Sequence, residues 1–108
     1  MALDVETSQV GSTTVVSLSG ELDVATAHSV EKALLQVEEG RPERILLDLR
    51  DLRFIDSTGL SLLINADRRG QKAGRKVTIV SGGGPPERIL RTVGLDTRLD
   101  VLRDPPEA

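Results

Sequence analysis

Apolar and polar positions divide the chain into segments of two different periods. Leu3 and Val5 alternate with Asp4 and Glu6, and Thr14, Val16 and Leu18 alternate with Val15, Ser17 and Ser19 up to Gly20. Alternation with period two marks half-buried strands, and the Gly11-Ser12 turn between them predicts a β-hairpin. From Asp23 the spacing lengthens. Ala27, Val30, Leu34 and Val37 recur every three or four residues, with Glu31, Lys32, Glu38 and Glu39 largely on the other side. This predicts an amphipathic helix with Asp23 as its N-cap and Gly40 as its stop before Pro42.

Ile45-Leu46-Leu47-Asp48-Leu49 is the most apolar strand-like run, and a short polar link joins it to Phe54-Ile55-Asp56-Ser57-Thr58-Gly59-Leu60. Asp, Ser and Thr at that junction have side-chain oxygens that accept from the unpaired N–H groups of a helix start. A helix is predicted from Ser57 or Thr58 to about Ala73, ending at Gly74. On a wheel of about 100° per residue, Leu60, Leu63, Ala66, Gly70 and Ala73 share the inward face, and Ser61, Asn65, Arg68, Arg69 and Lys72 the outward one. Ser57, Ser61, Ile64 and Arg68 form a row of their own. Ile64 is either a boundary residue tucked under the sheet edge or an apolar anchor beside Ser57.

Val77–Val80 predicts another strand. Gly82-Gly83-Gly84-Pro85-Pro86 follows, which two prolines and the lack of a Lys-Ser/Thr pair make a plain loop rather than a phosphate cradle. A third helix from Pro86 or Glu87 carries Ile89, Leu90 and Val93 up to Gly94. Leu99, Val101 and Leu102 supply a last strand. Strands and helices alternate after the hairpin, so the expected fold is α/β: a small mixed sheet covered by helices. One domain accounts for residues 1–108, with a core over about 3–102 and a short tail at 103–108.

Composition narrows the function. Hydrophobic residues make up 38% of the 108, Phe54 is the single aromatic, and the net charge is −3. Base-stacking platforms and a basic footprint are both missing, which argues against nucleic acid as a partner. With no Cys there is no thiolate nucleophile or zinc–thiolate site. No apolar run approaches the roughly 18 residues of a membrane span, and Met1-Ala2-Leu3-Asp4 lacks a basic start, so a cytoplasmic location off the membrane is expected.

Candidate chemistry centres on Ser57. His28 is the only His and bears no recognisable relation to Ser57, and no Gly-x-Ser-x-Gly elbow surrounds that serine, so no catalytic residue is assigned. Asp23, Asp48 and Asp56 have the right chemistry for a hard cation, but helix caps explain two of them and no metal site is assigned. A serine at a helix N-terminus suits phosphorylation. The added charge of about −1.5 to −2 is tolerated by the helix end, yet it would have to be desolvated in any docked interface. Thr58 is the alternative acceptor.

Three stretches together resemble the STAS-domain anti-sigma factor antagonists of bacteria: Gly20-Glu21-Leu22-Asp23; Leu47-Asp48-Leu49 followed by Phe54-Ile55-Asp56-Ser57-Thr58-Gly59-Leu60; and Ile89-Leu90-Arg91-Thr92-Val93-Gly94-Leu95. They stand in the expected order over nearly the whole chain, and Asp-Ser-Thr-Gly-Leu in that setting is the specific part. The resemblance implies a single STAS domain with a sheet of four to five strands and no catalysis or cofactor of its own. It implies a partner that is both anti-sigma factor and Ser/Thr kinase with a GHKL-type ATP fold, and release of a sigma factor on binding, often for stress genes. It also implies inactivation by phosphorylation at the position of Ser57 and reversal by a PP2C-type phosphatase. The expected partner-binding residues are Asp23, Asp56, Ser57, Thr58, Gly59, Ser61, Ile64 and Arg68.

Two departures stand out. Family members often carry Gly where this chain has Ser61, which bears on partner choice, and little room remains after Leu102 for the usual final helix. A different class sharing the resemblance is a STAS scaffold or accessory subunit, in a stressosome-like assembly or beside a lipid-transport ATPase.

Overall fold

The longest strand runs straight through the polar link. In the computed structural model, which describes residues 2–106, the elements are β1 (Leu3–Val10), β2 (Thr13–Leu22), α1 (Ala27–Glu39), β3 (Arg44–Ile55), α2 (Ser57–Ala73), β4 (Lys76–Val80), α3 (Pro85–Thr92) and β5 (Val101–Leu102). Met1 and the last two residues of the expected tail lie outside the described residues.

β3 remains a strand through Arg50–Arg53 because it is bulged. Its partners on β2 step from Ser17↔Asp48 to Ser19↔Asp51, and from Gly20↔Leu52 to Glu21↔Phe54, so β3 holds one extra residue at each step. Each bulge moves the inward position along by one. The residues of β3 in the core cluster therefore run Ile45, Leu47, Leu49 at intervals of two, then Leu52 and Ile55 at intervals of three. A strictly alternating strand would have turned Phe54 inward after Leu52; the second bulge leaves it 48% exposed. On β2, Gly20 lies inside the strand rather than at its end. Its φ of +107° and the Ala2 carbonyl, which a Cβ would strike, both demand glycine.

The five strands lie in the order β1-β2-β3-β4-β5, with β1 antiparallel to β2 and all other pairs parallel. Each parallel crossover advances in the same direction, so the right-handed rule brings α1, α2 and α3 to one face of the sheet. A continuous aliphatic cluster fills the space between, joining Val16 and Leu18, Val30 and Leu34, Leu47 and Leu49, Leu63, Ile79 and Leu90. Leu46, Asp48 and Arg50 point to the opposite face.

The helices depart from the expected faces in instructive ways. α2 begins at Ser57 and ends at Gly74 in the left-handed region, as its caps predict. Its buried stripe is Gly59, Leu62, Leu63, Ala66 and Gly70, while Leu60 is half-buried and Ala73 exposed. The stripe is rotated because glycines, not the largest apolar side chains, make the closest approaches. A Cβ on Gly70 would lie 2.7 Å from Val77 Cγ2 and 2.9 Å from the Arg75 carbonyl oxygen. Arg69, expected to face outward, is clamped between helices: its Nε reaches Glu38 Oε1 at 2.8 Å and its Nη2 reaches Glu31 Oε1 at 2.7 Å. α3 starts at Pro85 and stops at Thr92, leaving Val93 just beyond the helix and exposed, and Leu99 precedes β5 instead of belonging to it.

Gly70→Ala therefore lowers stability. An overpacked contact costs about 1–3 kcal/mol, more than the roughly 1 kcal/mol that alanine gains in helix propensity; a urea melt should show a reduced midpoint. On the opposite face, Arg50 grips Asp48 in two hydrogen bonds, Nε–Oδ1 at 3.0 Å and Nη2–Oδ2 at 2.8 Å. These bonds hold the Asp48 carboxyl below its ordinary value against the opposing effect of burial. A carboxylate with a depressed folded-state pKa contributes stability above its unfolded value, near 3.9, and loses it as pH falls through the folded value. The stability gap between wild type and Arg50→Ala should therefore narrow in urea melts taken progressively below about pH 4.

Candidate functional site

Parallel strands β2 and β3 both end at the same edge, and the residues that follow them meet there. The Asp56 N–H donates to the Leu22 carbonyl at 3.2 Å, tying the start of α2 to the end of β2. Asp56 is the N-cap of α2, with extended φ and ψ of −107° and −172°, and its Oδ1 accepts from the Gly59 N–H at 3.1 Å. The Leu60 N–H goes to the Asp56 carbonyl at 3.0 Å. Of the first four N–H groups, which no helix can satisfy internally, those of Ser57 and Thr58 have no partner among the described residues and lie at the positive end of the helix dipole.

Ser57 is the first residue of α2 and is exposed; Thr58 is half-buried. The geometry thus favours Ser57 over Thr58 as the hydroxyl that an outside enzyme can reach. Along the helix Ser61 and Arg68 are exposed, and Ile64 is half-buried, a boundary position that still shows part of its side chain. Gly59 does not belong to the surface. It is buried, and a Cβ there would lie 2.7 Å from Ile55 Cγ1 and 2.8 Å from Leu22 Cγ. Its part is to let the helix start sit on the strand ends.

Asp23 reaches the same edge by a different route from the one its spacing suggests. It does not cap α1, whose N-cap is Thr26 and whose first residue is Ala27. Instead Asp23 Oδ1 accepts from the N–H groups of Ala25 at 3.0 Å and Thr26 at 3.1 Å, closing a tight turn. Thr26 Oγ1 locks the turn by donating to the Glu21 carbonyl at 2.7 Å and accepting from the Asp23 N–H at 3.0 Å. The tip of this turn carries Val24, 75% exposed. Asp48 stays apart from Asp23 and Asp56, engaged by Arg50, and no three metal-ligating side chains converge among the described residues.

Two apolar residues of this edge, Val24 and Phe54, have no counterpart among the positions expected from sequence. Nothing in the local pattern marks Val24. Phe54 carried a signal, as the single aromatic directly ahead of the helix start, but its direction depends on the β3 bulges. The assembled edge is a fixed turn, a capped helix start and an exposed hydroxyl between them, which can receive a phosphoryl group and present a rigid surface to another protein.

The family model of the STAS domain matches residues 4–108. The chain is 32% identical over 83 residues to the anti-sigma-F factor antagonist RsfB of Mycobacterium tuberculosis, a stretch covering 76% of this chain and 66% of that protein's length. It is 30% identical over 96 residues to the anti-sigma F factor antagonist of Paenibacillus polymyxa, covering 88% of this chain and 82% of the relative. In three dimensions it is similar to the crystal structure of an anti-sigma factor antagonist from Mycobacterium paratuberculosis, with a TM-score of 0.82 and 28% identity over 95% of this chain and 87% of that one.

The cap at Asp56 should be separable from the hydroxyl beside it. Asp56→Ala removes the acceptor for the Gly59 N–H and is expected to cost about 1 kcal/mol, within the usual 0.5–2 kcal/mol for a lost cap, read as a shift in urea midpoint with the helical circular dichroism retained.

Proposed function

The chain belongs to the STAS-domain family, with relatives named as anti-sigma factor antagonists, and on that premise we propose that it binds an anti-sigma factor kinase until Ser57 is phosphorylated. The observation that carries this reading is the exposed Ser57 hydroxyl at the capped start of α2, beside the Asp23 turn. In the unmodified state the edge formed by Asp23, Asp56, Ser57, Thr58, Ser61, Ile64 and Arg68 docks on a GHKL-type Ser/Thr kinase that otherwise holds a sigma factor. Docking displaces the sigma factor. ATP and Mg²⁺ belong to the kinase, and a PP2C-type phosphatase resets the switch. Residues from about 3 to 102 act as one cytoplasmic domain without catalysis of its own.

The mechanism is electrostatic. A phosphate on Ser57 brings about −1.5 to −2 charges. The helix end and the free Ser57 and Thr58 N–H groups welcome it by about 0.3–1 kcal/mol, while the Asp56 carboxylate opposes it. The fold is therefore little affected. In the docked complex the same charge would be desolvated, and about 4 kcal/mol suffices to weaken binding a thousandfold.

Incubation with the cognate kinase and ATP, followed by mass spectrometry, should place one phosphate on Ser57 and none on Ser57→Ala; equal labelling of that variant would move the site to Thr58 or elsewhere. Ser57→Asp should keep its circular dichroism and melting behaviour yet bind the kinase at least a hundredfold more weakly, as read by calorimetry. Undiminished binding would count against the switch.

A further inference from the structure

The core of this protein is entirely aliphatic, and the one aromatic side chain is turned out of it. Burying a Phe contributes about 1.5–3 kcal/mol; the extra residue in β3 between Leu52 and Phe54 forgoes that gain and leaves Phe54 48% exposed. Bulges that re-aim a side chain are concentrated next to functional sites. Phe54 faces α3 across a groove of about 400 Å³, walled by Ile55, Pro85, Ile89 and Thr92 and flanked by Arg53 and Arg88.

Charge gives the groove its character. Arg50, Arg69, Arg91 and Arg103 all have carboxylate partners. Arg53 and Arg88 have none among the described residues, as is also true of Arg41, Arg44, Arg68, Arg75 and Arg98, but these two are the exposed guanidiniums that flank this groove. Two uncompensated guanidiniums flanking an apolar floor, on a chain of net charge −3, are suited to carboxylates around an apolar side chain. Aromatic residues and Arg are also the residue types enriched at protein interfaces. The groove is continuous with the edge already described: Phe54 pairs with Glu21 just ahead of the Asp23 turn, and stands two residues before Asp56.

We propose that this groove between the end of β3 and α3 is a second contact region for the anti-sigma factor, taking an apolar side chain of that partner flanked by acidic residues. The proposal rests on the antagonist reading above. It gives partner recognition two regions. Ser57 controls whether docking occurs, and the groove, which phosphorylation leaves unchanged, contributes affinity and selects among related kinases.

The test measures binding of the full chain to each purified GHKL-type anti-sigma kinase of the source organism, by calorimetry at two salt concentrations. Wild type, Phe54→Ala, the double variant Arg53→Glu/Arg88→Glu and Ser57→Asp are compared, with folding checked by circular dichroism. Expected are a loss of about tenfold or more for Phe54→Ala, and a similar loss for the double variant together with a weaker salt dependence than wild type. If both stay within twofold of wild type while Ser57→Asp loses binding, the groove is excluded and the antagonist reading stands. If wild type binds none of the kinases, both fall. Should Phe54→Ala fail to fold, the double variant, whose changes are confined to exposed side chains, decides alone.

Discussion

The working edge of this domain depends on how closely the start of α2 can approach the ends of β2 and β3. Gly59 is buried with its missing Cβ in the space that Leu22 and Ile55 occupy, and the Asp56 N–H is bonded to the Leu22 carbonyl. Without a side chain at 59 the helix axis comes down onto the strand ends, and Leu62 and Leu63 reach the core behind it. With the helix seated in this way, Ser57 has no choice but to face solvent, and the Asp23 turn, which follows Leu22 directly, has no choice but to lie beside it. Position and exposure of the hydroxyl are thus consequences of packing rather than of any contact made by the serine.

The remaining architecture serves to hold that seat. Arg69 fastens α2 to Glu31 and Glu38 of α1, and Gly70 brings the far half of α2 against Val77 of β4. The helix is therefore fixed at both ends and along one side. Parallel strands that all point to one edge add a further effect: their connecting segments gather at the carboxyl ends, where open α/β sheets present their binding surfaces. The turn after β2 and the helix start after β3 share that edge for topological reasons, although they are separated by more than thirty residues in the chain.

Much of this was legible from residue types. Alternation predicted β1 and β2, and Asp56 and Gly74 are visible bounds for α2 because a cap needs a side-chain acceptor and a left-handed stop needs glycine. What escaped was everything that depends on one residue more or less. The wheel for α2 was anchored on Leu60, yet a glycine makes the closest contact, and hydrophobicity has no way to register a contact made by the absence of a side chain. Two bulges in β3 break the period on which an inward or outward assignment rests, so the polar Arg50–Arg53 stretch read as a link and Phe54 had no predictable direction. Asp23 was recognised as a capping type, but the same oxygen can close a turn or start a helix, and only the backbone after it decides. Among the expected docking residues, Gly59 alone proved to be internal.

The case for placing the proposed switch at a helix start comes from comparing what a phosphate would do to the fold with what it would do to a complex. Domains of this size are stable by only about 5–15 kcal/mol, so a modification of the core would unfold the protein along with disabling it. At the first residue of α2 the new charge meets two free N–H groups and a favourable dipole, opposed by one carboxylate whose Oδ1 is already engaged by Gly59. These effects are each near 1 kcal/mol or less and of opposite sign. In an interface the water that would solvate the charge is excluded, and α2 itself offers no nearby compensation: the nearest basic residue on its exposed row, Arg68, lies three helical turns away. In the proposed switch, this asymmetry between a nearly neutral effect on folding and a large one on docking would let one hydroxyl control association while the domain that bears it stays intact.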